Sequence, residues 1–272
     1  AEPGALVQFD VRYPGRAGIK ASMTARDGFA RWTATATLAK PLPPALPAWQ
    51  LPSGIREPLV LFTALRGVPA LAGSLPFLKA WSGRTVPSEL FVWGQPGMPE
   101  NGHTYLAARM DDPKATVVEL SQRLTPLFTP TNASHFRGNL NFEPGVPRVT
   151  VSGSLPVLPT FEALTEGNRG YLTFGFIPPV RATNALAPEM IAQLNRTNLL
   201  YYDWEITANA VRHWHLIGQL HDLLGGRHAV VSTPATQWMH AIAPKLGETV
   251  TEGLVIGPNS ITVRRKSSLG LS

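Results

Sequence analysis

Residues 58–95 read PLVLFTALRG (58–67), GSLPFLKAW (73–81) and SELFVWGQ (88–95). A later stretch has a similar order: GYLTFGFIPP (170–179), PEMIAQLNR (188–196) and NLLYYDWEIT (198–207). Each begins with a nearly continuous apolar run, the pattern of a strand in the middle of a sheet. Each passes through a segment with helical spacing and ends on a strand that carries an aromatic-x-Trp. Phe62 falls on Phe174 and Trp93 on Trp204, offsets of 112 and 111 residues. The pattern continues downstream, where Pro113 falls on Pro234, Leu124 on Leu246, Leu140 on Leu254 and Val149 on Ile261. An ordered series of matches of this kind is the mark of an internal repeat.

Read as a repeat, each unit runs strand, helix, strand, strand, helix, strand. That order is ferredoxin-like, β-α-β-β-α-β. The sequence therefore predicts an α+β fold of two tandem ferredoxin-like repeats, at 58–155 and 156–272, each with its last strand extended into a β-hairpin. In front of them, LVQFDVRY (6–13), GIKASMTA (18–25) and FARWTATATL (29–38) alternate across Pro14-Gly15 and Asp27-Gly28, predicting an N-terminal β-meander over 1–39. Residues 40–57 are dense in proline and read as a linker. Asp112-Pro113 has the form of a helix start, with the Asp as cap and the Pro in the first turn.

The second unit carries a segment that the first lacks, TANAVRHWHLIGQLHDLLGG (207–226). Thr207 suits an N-cap and Gly225-Gly226 a stop, so an inserted amphipathic helix is expected near 208–224.

Composition narrows the functional classes. The chain has 272 residues, 44% of them apolar, and no apolar run approaches the ~20 residues of a membrane span. It has no cysteine, which excludes disulfides, thiolate catalysis and Cys-ligated zinc. Net charge is +6, but the basic residues are scattered apart from Arg264-Arg265-Lys266, and no nucleic-acid-binding signature accompanies them. Nucleic acid is not an expected partner. There is no P-loop, G-x-G-x-x-G or G-x-S-x-G, so no cofactor is implied and no nucleophile is marked.

The remaining candidates are polar and aromatic side chains. Alternation on 199–206 places Tyr201, Asp203 and Glu205 on one face of a strand, with successive carboxylates about 7 Å apart, a separation that acid/base pairs also use. His213, His215 and His221 lie in the inserted segment. The first two are two residues apart, so on a helix they point away from each other and cannot share a metal ion. His221 shares a stripe with Val211, Trp214, Ile217 and Leu224 and reads as a half-buried structural residue. Trp49, in the proline-rich stretch, is expected to be exposed and able to stack on a ligand.

Tyr201, Asp203, Glu205, His213, His215, His221 and Trp49 are thus the candidate binding residues, with no metal site expected. The sequence favours a non-catalytic binding or structural module of an exported bacterial protein, periplasmic or extracellular, that contacts protein or cell-envelope partners. The alternative is a hydrolase that pairs those histidines with Asp203 or Glu205.

Overall fold

The chain was analysed as a computed structural model, which describes residues 4–12, 18–38, 41–42, 46–72, 86–96, 103–128, 138–143, 145, 147–153, 158–177, 184–209 and 233–268. The apolar run at 58–67 forms β4 (Leu61–Arg66), hydrogen-bonded on both sides near the centre of one antiparallel sheet. That sheet has thirteen strands in the order β1-β2-β3-β13-β12-β11-β4-β5-β6-β10-β9-β8-β7. Its first wing is β1 (Ala5–Val11), β2 (Ile19–Arg26) and β3 (Phe29–Thr37), followed by the hairpin of β13 (Ser260–Ser268) and β12 (Glu248–Gly257). The centre is β11 (Leu199–Ile206), β4, β5 (Glu89–Gly94) and β6 (Thr104–Arg109). The far wing is β10 (Arg169–Ile177), β9 (Leu158–Glu166), β8 (Arg148–Gly153) and β7 (Gly138–Glu143). The described α-helices are α1 (Val68–Ala72), α2 (Pro113–Leu124), α3 (Pro188–Leu194) and α4 (Pro234–Ile242).

Side chains alternate along each strand, so the register sorts the sheet into two faces. One carries Phe62, Phe91, Trp93, Tyr171 and Tyr202, packed with Met190 and Leu194 of α3 and with Ile55 and Leu59 into the main core. Burying each of these large apolar side chains stabilises the fold by about 1.5–3 kcal/mol. On the opposite face, Leu65, Leu200, Val255 and Ile261 pack with Leu38, Leu42, Leu46 and Leu71. The described residues of the proline-rich stretch, 41–42 and 46–57, contribute to both layers, with Leu42 and Leu46 on one side and Ile55 on the other. They lie against the sheet as a strap. Leu42 N–H donates to Pro258 O at 2.7 Å, and Ser53 N–H donates to Glu166 Oε1 at 2.9 Å. Arg66, 2% exposed, fastens the middle of the strap. It donates to Leu199 O (2.7 Å), Arg196 O (2.8 Å), Thr197 O (3.0 Å) and Pro47 O.

α2 covers the far wing. Asp112 caps it, its Oδ1 accepting from Ala115 N–H at 2.9 Å, and Val117 is fully buried. A Cβ on Gly170 would lie 2.7 Å from Pro113 Cδ, so the glycine lets the start of α2 sit on β10.

The single sheet overturns the predicted fold class. In a ferredoxin-like unit the third strand lies between the first and second; here β5 lies between β4 and β6. β10 and β11, the first two strands of the supposed second unit, are separated by β6, β5 and β4. β11 instead pairs with β4, and β10 with β6, so the two stretches interleave rather than repeat as units. The local patterns were strand and helix patterns, but nothing local specifies which strand a given strand pairs with. Of the expected inserted helix near 208–224, residues 207–209 are helical, Thr207 included, and 210–232 lie outside the described residues.

Candidate functional site

β11 places Tyr201, Asp203 and Glu205 on the face opposite the main core, while Tyr202 and Trp204 point into or against that core. The register sets one row of side chains across the sheet on this face: Val7, Met23, Trp32, Arg265, Thr251, Asp203, Thr63, Val92 and Leu106. It is polar only in the middle. Thr63 Oγ1 donates to Asp203 Oδ1 at 2.7 Å. Arg265 Nη2 donates to Glu205 Oε1 at 3.3 Å, its Nη1 to Thr251 Oγ1 at 3.4 Å and its Nε to Ser267 Oγ at 3.3 Å. Thr207 and Thr249 hydroxyls meet at 2.9 Å beside Glu205 in the same ladder.

Burial pushes the Asp203 carboxyl above its ordinary value, against the Thr63 hydroxyl and the Arg265 charge, which pull it down. Burial also raises Glu205, with the charge of Asp203 adding to the shift and Arg265 opposing it. Tyr201 rises for the same reason, burial first and then the two carboxylates. On the core face, burial pushes the Tyr202 hydroxyl up to about 12. The strip is therefore a half-buried polar band in which each carboxylate has a named partner.

Trp49 is not an exposed platform. It is half-buried, with the Arg66 guanidinium 4.6 Å from its ring centroid and Phe91 at 6.0 Å. Beside it, Glu89 accepts from Gln50 N–H at 3.2 Å and meets Arg109 at 3.4 Å, and Tyr171 OH donates to Gln50 O at 2.9 Å. These contacts lock the strap. His213, His215 and His221 lie outside the described residues.

The feature that the sequence reading missed is on the first wing. Val7 (49% exposed), Phe9 (45%), Ile19 (39%), Trp32 (40%) and Val263 (39%) share the face of Asp203, and they are neighbours across β1, β2, β3 and β13. Each strand alone alternates as a half-buried strand should. What the alternation cannot reveal is that, among the described residues, no element packs over the apolar side of these strands. The opposite side of the wing is polar, with Lys20, Ser22, Arg31, Thr33, Arg264 and Lys266.

Among the described residues, no group of three or more His, Asp or Glu is placed to hold a metal ion, and no helix is long and apolar enough to cross a membrane. No protein family, curated protein or solved structure matches the chain.

Proposed function

We propose that this chain is a non-catalytic binding module whose contact surface is the apolar face of β1, β2, β3 and β13. The observation that carries the reading is the cluster of Val7, Phe9, Ile19, Trp32 and Val263, each more than a third exposed on one side of the wing. Scattered exposed apolar residues are ordinary, but a contiguous apolar face on a sheet marks an interaction surface. The partner is a protein or a component of the cell envelope. An exported bacterial setting belongs to the same reading.

The polar strip gives a second reading, a hydrolase using Asp203 and Glu205, which are held on one strand face with raised proton affinity. It ranks lower because Thr63 and Arg265 already engage those carboxylates within the sheet. Two measurements separate the readings. An anilinonaphthalene dye should bind the native chain, and Phe9→Ser/Trp32→Ser should lose most of that binding with an unchanged far-UV spectrum. A panel of ester, peptide and glycoside substrates should show no turnover. A native chain that takes up no dye, or turnover abolished by Asp203→Asn/Glu205→Gln, would overturn the proposal.

A further inference from the structure

We infer that the partner engages this wing by strand addition, laying an extended, alternately apolar and acidic segment along the free edge of β1. The inference rests on the binding-module reading and names its occupant.

β1 ends the sheet, and among the described residues it pairs only with β2. Residues Leu6–Asp10 are all exposed, so one row of backbone N–H and C=O groups faces outward. Those groups specify their ligand, another extended backbone. Edge strands are ordinarily blunted by Lys, Pro or short length. ALVQFDV has seven residues with neither Lys nor Pro, and its one charge, Asp10, is engaged by Arg12 and Lys20. A bulge between Ala5 and Val7 is the only irregularity in its pairing. The other edge, β7, reads GNLNFE and offers Asn139, Asn141 and Glu143 instead.

Side-chain chemistry sets the pattern of the added strand. On one parity it would continue the row of Val7 and Phe9, which calls for apolar residues. Charge sets the other parity. Residues 5–12, 18–38 and 260–268 carry seven Lys and Arg against Asp10 and Asp27, so acidic residues are favoured there. The same charge disfavours a second copy of this chain, which would bring two positive wings together.

Area argues the same way. Four strands about 4.8 Å apart and about 25 Å long present about 500 Å², below the ~800 Å² per side of a standard interface. A face of that size is smaller than a stable dimer needs, which also disfavours a second copy of this chain.

The test uses the full chain and a labelled nine-residue peptide of alternating valine and glutamate, followed by fluorescence anisotropy. Binding should weaken at least ten-fold when alternate peptide amides are N-methylated, and also when glutamate is replaced by lysine. It should weaken several-fold in Val7→Ser/Phe9→Ser, whose side chains are exposed enough to be replaced without unfolding the chain. Equal binding of the methylated peptide would overturn strand addition. Dye bound to the wing with no peptide binding would overturn it too and leave the binding-module reading standing. If neither binds, both fall. Concentration-dependent dimers in sedimentation equilibrium, abolished by Val7→Ser/Phe9→Ser, would assign the edge to a second copy and overturn the partner strand.

Discussion

Arg66 shows how a residue can be legible in type and illegible in role. It closes the apolar run at 58–66, where an arginine ordinarily ends a strand in solvent. In the structure it is 2% exposed and donates to carbonyls from two separate segments of chain. Burial lowers its proton affinity, with the Glu89 charge opposing that shift. Lysine cannot reproduce the guanidinium fork. Arg66→Lys should therefore cost about 2 kcal/mol in urea unfolding, and Arg66→Met about 3 kcal/mol or more, because several buried carbonyls lose their donor. Equal stability of both variants with the native chain would remove the strap from the account. Asp203 gives a pH prediction. With its carboxyl raised by burial, the folded chain keeps a proton that the unfolded chain has released. That contribution is fully present below the ordinary carboxylate range, and it is lost as pH rises through the folded value. Asp203→Asn keeps an acceptor for Thr63 and loses the ionisation. Its Tm should fall less than that of the native chain from about pH 4 to about pH 7, and at neutral pH it should equal or exceed the native value. Parallel Tm profiles would show that Asp203 is not coupled to folding.

Among the elements, helix starts were the most legible. The Asp112-Pro113 beginning stands where the sequence placed it, and the helical spacing read at 188–196 is α3, opening on Pro188, because capping and proline act within one turn. β9 was missed. Its LPTFEALTE alternates imperfectly, and only Gly167-Asn168 after it marked the turn into β10. Trp238 shares α4 with Ile242, at helical spacing, yet it is 62% exposed: helical spacing shows which residues share a side, not which side is covered. The junction of α2 and β10 makes the test at this scale. Gly170→Ala would drive a Cβ to 2.8 Å from Met110 O and 2.7 Å from Pro113 Cδ. It should lower stability by about 1–3 kcal/mol, measured by urea unfolding. An unchanged midpoint would mean that α2 shifts freely on the sheet.

For the whole molecule, one continuous sheet predicts one unfolding event. β4 is bonded to β11 and β3 to β13, so neither stretch of the chain can leave without breaking the other's ladder. Thermal unfolding followed by tryptophan fluorescence and by far-UV circular dichroism should give coincident midpoints. Two separated transitions would restore independent units. The sequence by itself determined most strands, the helix starts, the alternation that sets Tyr201, Asp203 and Glu205 on one side, and the absence of thiol chemistry. These depend on residue type and on neighbours a few positions away. Only the tertiary structure decided which strands pair, that Trp49 is clamped rather than presented, and that the wing of β1, β2, β3 and β13 has an apolar face left exposed among the described residues. Strand pairing joins residues more than a hundred positions apart, and alternation is the same whether the apolar side meets a helix or solvent. The chain's pattern names the side that seeks cover, and the fold alone shows where cover is missing.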